Sequence, residues 1–160
     1  MHLRCEHTHA ARPRGSVTID VASEAAAQLL CSVQSLLEDR PEPPCRPEKC
    51  ARMQELQKQL EDLEKHWAAR LSHLSMRDVR ARSAQHYYGL CAGTRLEYCL
   101  IPTLCSFDRL ACTLEALSQA GVVAPEEVEQ IVTEAYERIL RTCRDLAGET
   151  ETTEQDTPLP

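Results

Sequence analysis

The residues best suited to bind a metal lie near the N-terminus of this 160-residue chain. Thiols and imidazoles gather there and recur further along, at His2, Cys5, His7, His9, Cys45 and Cys50. Both are ligand types that Zn²⁺ accepts. Their spacing fits no pair of C-x2-C knuckles, and a closed site would require the N-terminal segment to fold back. The pattern therefore favours a polar tail with no metal and no cofactor, and structural zinc is the alternative.

A second pattern that could bind a ligand is a row of basic side chains, the arginine row. Its residues recur in steps of four and three, which places them on one face of a helix. It comprises His66, Arg70, His73, Arg77 and Arg80, and Arg82 and His86 extend it. Guanidinium groups bind phosphates and carboxylates through paired N–H donors. Arg70, Arg77, Arg80 and Arg82 are thus candidate anion-binding residues for an acidic partner, a phospholipid or RNA. The alternative is a solvated face, or one that pairs with acidic residues of the same chain.

The charge distribution opposes general nucleic-acid binding. The whole net charge of −7 arises in residues 121–160, which hold ten acidic residues and three arginines. Nucleic-acid affinity comes mainly from neutralising phosphates, and an acidic chain gains little of it. We therefore expect a protein partner rather than a nucleic acid.

The nine cysteines point to reduced thiols, because an odd number argues against a fully paired disulfide framework. The first sixteen residues contain no apolar run of the kind that marks a secretory signal. We expect a cytoplasmic protein, with the nucleus as the alternative compartment. Cys91, Cys105 and Cys112 recur at heptad-related separations, which indicates core packing. A redox sensor among them would require a lowered thiol pKa.

Motifs of catalysis are missing from the sequence. It contains no phosphate-cradling glycine loop, no G-x-S-x-G and no H-E-x-x-H. Its acidic residues crowd the C-terminal end instead of forming a shielded pair. We expect a protein that is not an enzyme.

The clearest pattern is a narrow apolar stripe in which residues recur in alternating steps of three and four. We call it the apolar ridge; it comprises Met53, Leu56, Leu60, Leu63 and Trp67, and continues after a change of register to Leu71 and Leu74. A stripe this narrow meets another helix rather than a broad core. The ridge is therefore the candidate partner-binding site. An intramolecular antiparallel hairpin is the alternative, because the pattern is short for a coiled coil.

The chain divides by composition into five segments. We expect a disordered tail over 1–15, an amphipathic helix over 16–40 and a proline-rich linker over 41–47. A helical or coiled-coil domain follows over 48–148, and an acidic disordered tail over 149–160. No stretch approaches the roughly 20 apolar residues that span a bilayer.

Within these segments the expected element boundaries come from capping and breaking residues. Thr18 or Asp20 is expected to cap the first helix. The helical pattern of the second helix, from Pro47 to about Leu74, continues through Tyr88 and Leu90. Pro102 is expected to impose a kink or a new start. Gly121 is expected to end one helix, Pro125 to open the last, and Gly148 to end it.

The predicted fold class is all-α: an elongated helical bundle or coiled-coil hairpin of about four to five helices. Aromatic residues make up only 4% of the chain, and the core must be built mainly from Leu, Ala, Val, Ile and Cys. The expected function is a non-enzymatic interaction module that pairs through the ridge with itself or with a partner helix. Adaptors of cytoskeletal assemblies are proteins of this kind. Anion binding by the arginine row is the alternative function.

Overall fold

A computed structural model describes residues 17–37, 47–73, 88–92 and 95–148. Within them, four helices pack against one another and two short strands pair. The elements follow in the order β1 (Val17–Val21), α1 (Glu24–Leu37), α2 (Pro47–Ala68), a 3₁₀ turn (Ala69–His73), β2 (Tyr88–Ala92), α3 (Arg95–Gln119) and α4 (Pro125–Gly148). The all-α class is confirmed by this arrangement.

The core is built around α3, which contacts α1, α2 and α4. Its leucines and the only phenylalanine of the chain recur every three or four residues and are fully buried: Leu100, Leu104, Phe107, Leu110, Leu114 and Leu117. Leu29 of α1, Met53 of α2 and Ile139 of α4 join the same cluster. Because α3 is apolar on a broad face, three helices cover it, and one continuous core holds all four helices together.

Both strands lie in segments that the sequence predicted to be helical. Val17–Val21 was expected to lie in the first helix and Tyr88–Leu90 in a helical pattern, yet these segments form an antiparallel pair. Val17 pairs with Ala92, and Val21 pairs with Tyr88. Alternation in the first segment buries Ile19 and Val21 while Asp20 is exposed. Each strand needs its partner, and the partner is too distant in sequence for a local pattern to reveal it.

The first helix begins at a different cap from the one expected. Neither Thr18 nor Asp20 caps it; the Ser23 hydroxyl oxygen accepts a hydrogen bond from the Ala26 N–H at 3.2 Å. Ser23 is in turn held by Asp108 of α3, whose Oδ1 accepts the Ser23 N–H at 2.7 Å and the Ser23 hydroxyl at 2.6 Å. The Asp108 carboxylate also accepts the Ala22 N–H, at 3.1 Å to Oδ2. One carboxylate thus anchors the start of α1 to the middle of the central helix.

Two helices differ in detail from their predicted courses. Helix α2 ends at Ala68 and the chain tightens into the 3₁₀ turn through His73, which is where the change of register was expected. Pro102 was expected to impose a kink or a new start, but α3 begins at Arg95 and continues through it. Proline removes a single helical donor, and the Pro102 side chain lies at the exposed surface.

The connection from α3 to α4 follows the sequence-based expectation. Gly121 has a φ of 73°, the left-handed conformation of a residue that follows a helix C-terminus. Its N–H donates to the Ser118 carbonyl at 2.9 Å, and the Val122 N–H donates to the Leu117 carbonyl at 2.9 Å. Helix α4 then opens at Pro125 and ends at Gly148, as predicted. None of the helices described is both long enough and apolar enough to cross a bilayer.

Gly121→Ala is expected to destabilise the protein by about 1 kcal/mol, because a Cβ disfavours a positive φ. Nothing lies within 4 Å of the added Cβ, and the cost is therefore one of backbone conformation rather than of a clash. Gly148→Ala is the matched control, since its Cβ also meets nothing within 4 Å and its φ is not positive. Urea unfolding of the two variants measures the difference. Equal stability of the two would contradict the assignment.

Candidate helix-pairing site

The apolar ridge lies against the core in this structure. Met53, Leu56, Leu60, Trp67 and Leu71 are buried, and Leu63 is half-buried against the same cluster. Leu74 lies outside the described residues. Helix α3 is the main element that α2 contacts. The candidate partner-binding residues therefore already pack against a helix of their own chain.

The order of contacts along the α2–α3 seam gives the helix direction. Cys50 Sγ lies 3.5 Å from Cys99 Sγ, the Thr103 hydroxyl donates to the Met53 carbonyl at 3.3 Å, and the Thr113 hydroxyl donates to Glu64 at 3.3 Å. Residue numbers rise together on both helices, which means that α2 and α3 are parallel. The antiparallel hairpin considered for the ridge is therefore wrong. Helices joined by a short turn run antiparallel, whereas a segment of more than twenty residues separates these two.

A polar cluster borders the middle of the seam. The Ser106 hydroxyl lies 3.4 Å from Glu61 Oε1, and the Arg109 guanidinium lies 3.2 Å from Ser106 Oγ and 3.8 Å from Glu61 Oε1. The Gln57 amide donates to the same Glu61 oxygen at 2.8 Å. This amide, more than any other neighbour, holds the pKa of the Glu61 carboxyl below its ordinary value of 4.5, with Ser106, Lys65 and Arg109 adding to it. These polar contacts specify which residues of α2 and α3 face each other, which the apolar contacts of the ridge alone do not.

Helix α4 flanks the core on the other side of α2. Arg52 Nη2 lies 3.4 Å from Asp145 Oδ2, with the two side chains 45% and 52% exposed, and such an exposed pair contributes little stability. A groove between the two helices is lined by Leu56 and Gln59 of α2 and by Arg138 and Thr142 of α4. A second and larger groove, of about 440 Å³, separates α1 from α4 and is lined by Cys31, Ser32, Ser35, Leu36, Leu140 and Arg144.

Of the four candidate anion-binding arginines, Arg70 is the one that lies within the described residues. The Arg70 guanidinium lies 4.4 Å above the Trp67 ring, which is a cation–π contact at the exposed end of α2. The ring is buried, and Trp67 Nε1 has no hydrogen-bond partner among the residues that the structure describes. Arg77, Arg80 and Arg82 lie outside those residues. The structure therefore does not bring the candidate anion-binding residues together on one described surface.

Buried Cys143 and half-buried Cys105 and Cys112 are poorly suited to thiolate chemistry. Burial raises the pKa of Cys105 above 9.0, and it raises the pKa of both Cys112 and Cys143 to about 12. Asp108 adds to the effect at Cys105 and Cys112. Burial thus favours the neutral thiol at all three positions. Cys105 and Cys112, which were expected to pack in the core, are only half-buried.

Native Cys112 and Cys143 are expected to react with iodoacetamide at pH 8 about a thousandfold more slowly than the same cysteines in the unfolded chain. A rise in pKa from 9.0 to about 12 reduces the reactive thiolate by that factor. Mass spectrometry of tryptic peptides from native and guanidinium-treated protein measures both rates. Comparable rates in the two states would contradict the burial of these thiols.

Within the described ranges, no three His, Cys, Asp or Glu side chains are grouped as a metal site would require. Five of the six residues of the zinc alternative, namely His2, Cys5, His7, His9 and Cys45, lie outside those ranges. The sixth, Cys50, is on α2 against α3, where its neighbour is Cys99. Sequence reasoning did not connect these two cysteines, which are 49 positions apart.

Comparison of the chain with family models, with curated proteins and with solved structures finds no match in any of the three.

Proposed function

We propose that this chain is a non-enzymatic protein-interaction module that associates with a second copy of itself by exchanging helix α2. In the exchanged dimer, α2 of each copy packs on α3 of the other. The observation that carries the proposal is the burial of the apolar ridge mainly against one neighbouring helix, α3, along a parallel seam. That seam contains all the contacts that a second copy would need, and the exchange requires no new interface.

The position of α2 in the chain supports an exchange of this kind. Residues 38–46 join it to α1 and include Pro41, Pro43 and Pro44. Prolines favour extended backbone, and an extended linker lowers the cost of moving α2 away from its own bundle. In the closed monomer, α2 packs on the α3 of its own chain, and in the exchanged dimer it packs on the α3 of the other copy. The two forms share these contacts and differ mainly in the entropy of association and in the conformation of the linker. Mass action therefore favours the dimer as concentration rises.

The polar cluster favours a second copy over an unrelated helix. Glu61, Ser106 and Arg109 lie within hydrogen-bonding or ion-pairing distance across the seam, and Glu64 bonds to Thr113. A helix without acidic residues at these two positions would lose the ion pair to Arg109 and the hydrogen bond to Thr113. A helix from another protein could take the place of the second copy's α2 if it carried acidic residues at the same two positions. We place the module in the cytoplasm, as an adaptor, by analogy with the class.

Sedimentation velocity of the full chain tests the exchange. Under reducing conditions we expect an 18.0 kDa monomer at low micromolar concentration and a growing species of twice that mass at higher concentration. Replacing Pro41, Pro43 and Pro44 with glycine should shift the balance toward monomer, because a flexible linker favours the closed form. Replacing exposed Pro102 with alanine is the control for a general effect of proline removal. A chain that remains monomeric at every concentration would refute self-association.

Anion binding by Arg70, Arg77, Arg80 and Arg82 is a second candidate function. The observation that favours it is the exposed Arg70 guanidinium above Trp67, because stacking fixes the plane of the group and leaves its edge N–H donors accessible. We expect binding to vesicles with anionic lipid in 20 mM salt, weakened by Arg70→Glu and lost by 500 mM salt. No binding by the unmodified chain at low salt would end this candidate.

A further inference from the structure

Two cysteines meet where α2 and α3 begin. Cys50 is the fourth residue of α2 and Cys99 the fifth residue of α3, and their Sγ atoms are 3.5 Å apart. Both residues are half-buried, and both are thiols in this structure. We propose that Cys50 and Cys99 form a reversible disulfide that fastens the start of α2 to the central helix.

The geometry of the seam brings the two sulfur atoms together. Further along the same two helices, the Thr103–Met53 and Thr113–Glu64 hydrogen bonds fix the register of the pair. The first turns are therefore held side by side whether or not the thiols are linked. A disulfide has a sulfur–sulfur distance of about 2.05 Å, which leaves the two sulfur atoms about 1.5 Å to approach.

The reaction balances with a small-molecule disulfide such as glutathione disulfide as the oxidant. One of the two thiols loses its proton and attacks a sulfur of glutathione disulfide, which breaks that bond and releases one glutathione thiolate. The second thiol loses its proton and attacks the resulting mixed disulfide, and the second glutathione leaves. Two cysteine thiols become one disulfide, and one glutathione disulfide becomes two glutathione thiols after protonation. Excess glutathione thiol reverses both steps.

Three cysteines further along α3 and α4 compete poorly for this reaction. Cys105, Cys112 and Cys143 are held as neutral thiols by burial, with pKa values raised above 9.0. An attacking thiol must first be a thiolate. Oxidation should therefore occur at the start of the seam and leave these three cysteines unchanged.

The disulfide has a consequence that rests on the proposed function. It closes a loop between positions 49 apart and ties α2 to the α3 of its own chain. A bundle oxidised as a monomer could not exchange α2. A dimer oxidised after exchange would instead become covalently linked, because Cys50 of each copy would lie against Cys99 of the other.

The test uses the full chain in buffers with increasing ratios of glutathione disulfide to glutathione. At 2 µM protein we expect a mass loss of about 2 Da, a tryptic peptide that joins Cys50 to Cys99, and reversal by dithiothreitol. The midpoint of thermal unfolding should rise on the order of 10 °C from closure of the loop. Cys50→Ser and Cys99→Ser should each abolish all three effects while their reduced forms unfold like the reduced wild type. Cys31→Ser is the matched control and should retain them.

Three results would overturn the proposal. They are a linkage of Cys50 to a different cysteine, glutathione adducts that never resolve to an internal disulfide, and no oxidation of either thiol in pure glutathione disulfide. Each is independent of self-association, because the measurement concerns the individual chain. Sedimentation of the oxidised protein then addresses exchange separately: a chain that forms the disulfide and never dimerises supports the disulfide and refutes the proposed function.

Discussion

Asp108→Ala is expected to lower the free energy of unfolding by about 3 kcal/mol, with a fall in the unfolding midpoint of about 6–12 °C. The carboxylate accepts the backbone N–H groups of Ala22 and Ser23 and the Ser23 hydroxyl, at 2.6 to 3.2 Å. Alanine leaves these donors at the start of α1 without their acceptor, and removes a negative charge from the positive end of that helix. Urea unfolding followed by circular dichroism measures the loss.

Two further variants isolate the cause of that loss. Asp108→Asn keeps one acceptor oxygen without the charge and should fall between the wild type and Asp108→Ala. Asp145→Ala removes an aspartate whose side chain is 52% exposed and whose partner is Arg52, and should change stability by no more than about 0.5 kcal/mol. If Asp108→Ala were as mild as Asp145→Ala, the anchoring role of Asp108 would be refuted.

Leu60→Ala is expected to destabilise the dilute, monomeric protein by about 3 kcal/mol. Leu60 is in the middle of the apolar ridge and only 4% exposed, and truncation of a buried leucine removes apolar contacts and leaves a cavity. Lys58→Ala, at an exposed position of the same helix, is the control and should lie within about 0.5 kcal/mol of the wild type.

The protein concentration distinguishes the two possible partners of the ridge. At 1 µM and under reducing conditions the destabilisation measures packing within one chain, because exchange is disfavoured by dilution. If the ridge needed a partner chain for its burial, Leu60→Ala would leave the dilute protein unaffected and would weaken only the dimer. That result would contradict the packing of α2 on α3.

The parts of the fold that the sequence predicts well are those governed by local patterns. The helical spacing of Leu100, Leu104, Phe107 and Leu114 identifies α3, and Gly121 marks its end. Helix α4 begins at Pro125 and ends at Gly148 as its capping residues indicate. In each case the apolar period and the boundary residue lie in the same short stretch of chain, where propensity and packing agree.

The strands and the anchor of α1 depend on partners that a local pattern does not contain. Val17 pairs with Ala92, and Ser23 is bound by a residue 85 positions away. Each strand of five residues pairs with the other, which is distant in sequence. No local pattern distinguishes Asp108 from the other acidic residues as the partner of Ser23. These features follow from tertiary structure, which overrides the helical reading of both strand segments.

The candidate site was predictable in part. The narrow stripe from Met53 to Trp67 indicates a helix that packs on another helix, but it specifies neither the partner helix nor its direction. The partner is α3, through its broad apolar face, and the long connection between α2 and α3 permits a parallel arrangement. The contact between Cys50 and Cys99 follows from that register and from no spacing in the sequence.

Because the central helix follows α1 and α2 in the part of the chain that the structure describes, the order of biosynthesis separates the ridge from the helix that buries it. A ribosome delivers α1 and α2 before α3, and elongation proceeds at about 5–20 residues per second. The emerging polypeptide therefore presents Met53, Leu56 and Leu60 to the cell for seconds before residue 119 leaves the exit tunnel. Two such polypeptides on one messenger RNA would meet at that stage. Under the proposed exchange of α2, dimers formed during translation should outnumber those formed by mixing finished chains, a difference that selective capture of tagged nascent chains would measure.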